Sequence, residues 1–196
     1  MIRKIVKLQY SMIVSFTGAQ STGKTTLLNH LVDKNPYVTF VEEVTRRVKR
    51  LYDVPINEDG GDVTQFLIMA DHLQNLFSKD KEEITVFDRC AVDGVVYTRW
   101  LQLQGMVSDA VYQACCKVYD VVIDQYDVIF YTDPADVELE DDGERSIDVG
   151  FRNDIIKLFD DKLKGLDNVV VLSGTVEERL NIVKKTVEGL GKDIII

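Results

Sequence analysis

The sequence predicts a three-layer α/β fold around a five-stranded parallel sheet. Three observations carry that expectation. Short, nearly continuous apolar runs of four or five residues recur along the chain. Longer segments between them place apolar residues at helical spacing. Strands buried on both faces lose the polar alternation of an exposed sheet, and parallel strands need crossovers, so this alternation specifies helices on both sides of a parallel sheet. The third observation is a glycine-bounded loop at the first strand–helix junction. At 196 residues the chain is expected to form a single domain over 1–196, with ample length for a buried core.

The first strand is Met12–Phe16. It is followed by Gly18-Ala19-Gln20-Ser21-Thr22-Gly23-Lys24-Thr25 and a helix that buries Leu27, Leu28, Leu31 and Val32. The loop fits G-x-x-x-x-G-K-[ST] in the setting that motif requires, between strand and helix. Its glycines let backbone N–H groups approach a polyphosphate, and the helix N-terminus adds unsatisfied donors and a favourable dipole. Gly18 to Gly23, with Lys24, Thr25 and Thr26, are therefore the expected binding residues for a nucleoside triphosphate, taken as ATP. Lys24 is expected to face solvent and reach the β- and γ-phosphates, and the Thr25 hydroxyl to meet Mg²⁺.

After the turn Asn35-Pro36, Tyr37–Val41 reads as the second strand, ending at Glu42-Glu43. A helix is expected over Val44–Leu51 and a loop over Asn57–Gly61. The next helix runs from Asp62 to about Lys79, with Val63, Phe66, Leu67, Ala70, Leu73, Leu76 and Phe77 facing inward. Ile84–Phe87 is the third strand, stopping at Asp88-Arg89. Helices over Ala91–Leu103 and Ser108–Gln125 are split near Gly105. Val128–Tyr131 is the fourth strand, and the acidic stretch Ala135–Ser146 is the expected mobile lid. A helix over Asp148–Lys164 buries Ile155, Ile156, Leu158, Phe159 and Leu163. Val169–Leu172 is the fifth strand and Thr175–Glu188 the last helix; the pattern assigns no place to Ile194–Ile196.

Ligands of such sheets bind at the carboxyl ends of the strands, so the residues just past each strand are the candidates. Asp88 is expected to orient Mg²⁺ or its water shell; the alternative is a cap for the helix beginning near Ala91. Arg89 either binds an acceptor or pairs with a neighbouring acid. Glu42 and Glu43 offer a carboxylate to take the proton of an attacking hydroxyl, with Glu42 slightly ahead. The competing reading makes them solvated i,i+4 partners, Glu42 of Arg46 and Glu43 of Arg47. Arg145, in the acidic loop, is the candidate mobile cation for charge developing on a transferring phosphoryl group, and Arg152 follows on the next helix. The plainer alternative is a solvated acidic loop. Asp93, Tyr97 and Trp100 share one helical face; core packing leads for these aromatics, with an acceptor pocket as the alternative. His30 and His72 read as surface or packing residues.

Composition narrows the partners. The formal net charge is -10, from 23 basic and 33 acidic residues, which argues against a broad nucleic-acid footprint. No apolar run approaches a membrane span. Met1–Tyr10 carries Arg3, Lys4 and Lys7 but no long apolar core, so it does not read as a signal peptide. Cys90, Cys115 and Cys116 have no metal-ligand spacing and read as reduced cysteines of a cytoplasmic protein.

On these residues the chain resembles the P-loop nucleoside-kinase-like ATPases grouped with the ribosylnicotinamide kinase domain of bifunctional NAD-biosynthesis regulators. The match runs through Phe16–Leu27, Glu42-Glu43-Val44-Thr45-Arg46, Phe87-Asp88-Arg89 with Asp93 and Tyr97, and Asp141-Asp142-Gly143-Glu144-Arg145-Ser146 with Arg152. The resemblance implies a P-loop kinase fold that uses ATP and Mg²⁺ to phosphorylate a nucleoside or nucleotide-like acceptor, with Arg46, Arg89, Asp93, Tyr97 and Arg152 towards that acceptor. Relatives of this kind also occur in bacteriophage genomes, including kinases acting on modified bases. A kinase for a modified, hydroxymethylated base in DNA is therefore one alternative, lowered by the acidic balance. A regulatory NTP-binding switch is the other; the chain lacks an Asn-Lys-x-Asp guanine-reading motif, which weakens a GTPase in particular.

Overall fold

The structure is a computed structural model that describes residues 11–78, 84–135 and 148–196. Its strands are β1 (Met12–Thr17), β2 (Thr39–Val41), β3 (Ile84–Asp88), β4 (Val128–Thr132) and β5 (Val169–Leu172). Its helices are α1 (Lys24–Lys34), α2 (Val44–Tyr52), α3 (Asp62–Leu76), α4 (Ala91–Leu103), α5 (Asp109–Val122), α6 (Val149–Leu163) and α7 (Val176–Gly189). The strands form one sheet in the order β2-β3-β1-β4-β5, and every pairing is parallel. The expected fold class is observed.

β1 lies at the centre and is buried throughout, so its side chains divide by the strand period between two apolar layers. Met12, Val14 and Phe16 pack with Leu27, Leu28 and Leu31 of α1 and Leu180, Val183 and Val187 of α7. Phe16 meets Phe130 with ring centroids 5.1 Å apart. Ile13 faces the other layer, where α4, α5 and α6 bring in Val92, Val95, Cys115, Ile155 and Phe159. The register places Phe16 between Asp88 and Phe130, and Thr17 beside Tyr131. β2 and β3 lie on one side of β1, and β4 and β5 on the other. The crevice of this switch point therefore opens at the carboxyl end of β1, where the glycine loop begins.

Three expectations change. β2 begins only at Thr39, because Asn35 to Val38 close a turn in which Val38 N donates to the Asn35 carbonyl at 3.0 Å. The carboxy-terminal tail has a place after all. The buried Asn35 amide donates to the Ile195 carbonyl at 2.9 Å and accepts from Ile195 N at 2.8 Å, and Ile194 enters the α1/α7 layer. Finally, α3 turns Gln65, Ile68, Met69, His72 and Leu76 inward and ends at Leu76, while Val63 (68%), Phe66 (56%) and Phe77 (42%) are exposed. Its inner face lines a polar cleft as well as core, so apolar spacing alone misplaced it. All three cysteines are free thiols. No helix among the described residues is long and apolar enough to cross a membrane.

Candidate active site

The chain leaves β1 through Gly18 (φ 136°), Ser21 (φ 53°) and Gly23 (φ 82°). At Gly18 the positive φ and the space both require glycine: a Cβ there would fall 2.6 Å from Thr132 Oγ1. Thr132 stands 2.6 Å from Thr22 Oγ1 and donates to the Thr17 carbonyl at 3.1 Å, which ties the loop to the end of β4. A loop that turns its N–H groups towards a phosphate turns carbonyls the other way, and these must find donors. Lys24 Nζ donates to the carbonyls of Gly18 (2.8 Å) and Ala19 (2.6 Å). Thr22 Oγ1 also donates to Ala19, and Arg89 to Gly18 at 3.4 Å. Lys24 is thus folded back and 6% exposed, where solvent exposure was expected. Its burial, then the charge of Arg89, bring the ammonium pKa down to about 7. Thr25 and Thr26 open the first turn of α1 on its exposed side.

Beside the loop, β3 delivers Asp88 and Arg89. Asp88 does not cap α4: Cys90 holds that position, with Asp93 closing a capping box. Burial, and then the neighbouring Glu43, push the Asp88 carboxyl up to about 6. Arg89 has φ 73°, a left-handed conformation that costs a non-glycine residue about 1–2 kcal/mol. Its N–H donates to the Phe16 carbonyl at 2.9 Å, which fixes this turn against β1. The guanidinium donates to Glu43 Oε1 at 2.7 Å and Asp93 Oδ1 at 2.9 Å, and lies over the Tyr97 ring.

The two glutamates part company. Glu43 is turned inward, with Arg46 3.2 Å from its second oxygen, whereas Glu42 lies at the surface, 3.1 Å from Arg50. Among the described residues the two i,i+4 pairs are replaced: Arg46 meets Glu43, and Arg47 forks onto Asp71 and reaches Asn75 at 2.9 Å. Burial raises the Glu43 pKa, but the charge and hydrogen bond of Arg89, with Arg46, outweigh it and hold the carboxyl below its usual range. Asp93 also accepts from Thr17 Oγ1 at 2.6 Å and Cys90 N at 2.9 Å, so its oxygens organise the site from within. Tyr97 lines the cleft and donates to Gln20 at 3.3 Å, whereas Trp100 packs on Phe151 with centroids 4.5 Å apart. Arg152 donates to the Pro134 carbonyl at 3.2 Å, close to the end of β4. His30 is exposed on α1. Arg145 and the rest of the acidic stretch from 136 onwards lie outside the described residues.

Sequence reasoning missed the inner wall of the cleft. Beyond the loop, Glu43, Asn57, Gln65, His72, Arg89 and Tyr97 line a narrow cleft with a cavity volume of about 30 Å³. Gln65 bonds Thr98 Oγ1 at 2.9 Å. His72 is buried, its Nδ1 has no hydrogen-bond partner among the described residues, and burial brings its pKa down to about 4, so the ring is neutral. Gln65 and His72 are two turns apart on one helical face, and that polar pair at inward spacing is the signal that could have found them. Arg179 was also missed. It reaches the loop from α7, donating to the Thr22 carbonyl at 2.8 Å.

The sheet order and the loop at its switch point define a P-loop NTPase domain of the kinase-like type. The chain belongs to the AAA domain family, whose model matches residues 13–179. No curated protein matches the sequence significantly. Among solved structures, NadR protein in complex with NR superposes with a TM-score of 0.74 at 20% identity, over 95% of this chain and 54% of NadR. The chain thus spans about half the length of NadR. Deoxyadenosine kinase from M. mycoides gives 0.68 at 15% identity, over 91% of this chain and 100% of the kinase. Thymidylate kinase from Candida albicans gives 0.63 at 14%, over 95% and 97%. At these identities the likeness is one of fold.

Proposed function

We propose that the chain, acting as one domain, is an ATP-dependent kinase that moves the γ-phosphoryl group to a nucleoside or nucleotide-like acceptor. The observation that carries the reading is the Glu43–Arg89 pair. Arg89 touches the loop at the Gly18 carbonyl and holds Glu43 in the adjoining cleft, so a carboxylate stands between a triphosphate loop and a second pocket. A protein that only bound and released a nucleotide has no use for that second pocket. The fold neighbours support the acceptor class: NadR was captured with NR, and the M. mycoides kinase with dCMP and dCDP.

ATP with Mg²⁺ supplies the phosphoryl group and neutralises charge on the phosphate oxygens. The hydroxyl of Thr25 and the carboxylate of Asp88 are hard oxygen donors of the kind a mostly phosphate- and water-bound Mg²⁺ takes. Lys24 exchanges the Gly18 and Ala19 carbonyls for β- and γ-phosphate oxygens. Those carbonyls keep Arg89 and Thr22 as donors, so the exchange leaves neither of them orphaned. Glu43, ionised, takes the proton of the attacking hydroxyl when the acceptor displaces one of its arginine contacts. Arg145, on the segment proposed as a lid, stabilises charge on the transferring group.

The test is ADP formation by the purified chain with ATP, Mg²⁺ and a panel of nucleosides, nucleotides and DNA carrying hydroxymethylated bases. Stimulation by a small acceptor, with a phosphorylated product, supports the reading. Stimulation by DNA alone selects the modified-base alternative. No stimulation, together with nucleotide-dependent binding of a partner protein, selects the switch.

A further inference from the structure

Arg179 sits one turn into α7. The capping box of Thr175 and Glu178 fixes that turn: Thr175 N donates to Glu178 Oε2 at 2.8 Å, and Glu178 N to Thr175 Oγ1 at 3.3 Å. Helical side chains lean towards the N-terminus, so Arg179 points back to the carboxyl edge of the sheet, beside the glycine loop. It is 3% exposed there. Nε donates to the Gly174 carbonyl at 2.9 Å, one terminal nitrogen to Thr22 at 2.8 Å, and the other to Asp133 at 3.3 Å. Gly174, Thr22 and Asp133 lie on the three segments that leave β5, β1 and β4. The nitrogen on Thr22 is also 3.7 Å from where a Cβ on Gly23 would stand.

A planar fork with five donors can satisfy three divergent carbonyls at once, which a lysine ammonium on a flexible stem cannot reproduce. The Thr22 carbonyl matters because it belongs to the Thr22–Gly23 peptide, whose N–H opens the run into α1. If that carbonyl is held outward, the following N–H groups face the phosphate side.

We propose that Arg179 is a positioning residue of the nucleotide site. It fixes the orientation of the Thr22–Gly23 peptide and locks the glycine loop to the ends of β4 and β5, without itself touching a phosphate. The inference rests on the glycine loop being a polyphosphate site and is independent of which acceptor the second cleft takes.

Arg179→Met and Arg179→Lys are to be titrated directly with Mg·ATP, alongside the wild type, well below the unfolding temperature of each. For Arg179→Met the ATP Kd is expected to rise tenfold or more. For Arg179→Lys, which keeps the charge but not the fork, the expected rise is threefold or more. A purely structural residue would lower the melting temperature and leave the Kd of the folded protein alone. Either variant, folded and binding ATP within twofold of the wild type, overturns the proposal. Should Arg179→Met fail to fold, Arg179→Lys decides by the same criterion. A wild type that binds no ATP would overturn the loop reading and the proposal together, a failure distinct from loss of the difference between variants.

Discussion

Lys24 Nζ lies 2.6 Å from the Ala19 carbonyl and 2.8 Å from that of Gly18, on the loop whose phosphates we propose it binds. The lysine folds back onto the carbonyls of its own loop. Lys24→Ala should therefore have little effect on the fold, since Thr22 and Arg89 still donate to those carbonyls and a desolvated ammonium is removed. Net stability should move by no more than about 1 kcal/mol. Turnover should fall by about 100-fold or more, as for the loss of other groups aimed at developing charge. Thermal melting and steady-state ADP formation on the same preparation check both halves. Near-normal turnover with unchanged melting would remove Lys24 from the chemistry.

Glu43 and Glu42 differ by one position and by their surroundings, which makes them a matched pair. Glu43→Gln keeps the side-chain size, removes the proton acceptor and weakens the anchor of Arg89. Its kcat should drop by about 10²–10⁴. Glu42→Gln loses only an exposed pair with Arg50, and its kcat should remain within about twofold. Kinetics at saturating ATP and acceptor decide between them. The reverse ranking would place the base at the outer glutamate.

These contrasts show what the sequence made legible. The strands, the glycine loop and the helices could be read because burial on both faces forces apolar runs and crossovers force alternation with helices. The inner, cleft-facing side of α3 could not be read that way. Gln65 and His72 point inward because a polar cleft lies there, while Phe66 and Val63 point out. Apolar periodicity assigns such a helix the wrong face. The sequence puts Glu42 slightly ahead of Glu43, whereas the structure turns Glu43 inward; neighbouring residues at a strand end point in different directions, and the position of Arg89 decides which is inside. Arg179 had no motif at all; the role proposed for it comes from three backbone carbonyls far apart in sequence.

Gly18 and Gly105 offer a second matched pair. Both have positive φ, but a Cβ on Gly18 would strike Thr132 Oγ1, whereas one on Gly105 meets nothing within 4 Å. Gly105→Ala should cost about 1 kcal/mol of backbone strain and leave nucleotide binding intact. Gly18→Ala should lower the melting temperature further and abolish measurable ATP binding, because Thr132 also braces Thr22 and Thr17. Melting curves and ATP titrations of both variants make the comparison. Equal behaviour would mean that the loop tolerates the added methyl group.

His72 provides a prediction for pH. Burial is the largest cause of its low pKa, about 4 against an ordinary 6.5; Arg89 adds to it, while Asp93, Asp71 and Glu43 oppose it. The unfolded chain therefore binds a proton near pH 6.5 that the folded chain refuses until about pH 4. Stability from this group is fully present above pH 6.5 and is lost as pH falls through that window. Between pH 7 and 5 the loss should be about 2 kcal/mol, at a limiting slope of about 1.4 kcal/mol per pH unit. His72→Gln has no proton to take up, so its stability should fall less over the same interval. The carboxylates titrate in both proteins and largely cancel in the difference. Denaturant midpoints at pH 7, 6 and 5 for the two proteins give that difference directly. Parallel curves would show that the ring is protonated in the folded chain as readily as in the unfolded one, which a buried neutral imidazole on the wall of the cleft does not allow.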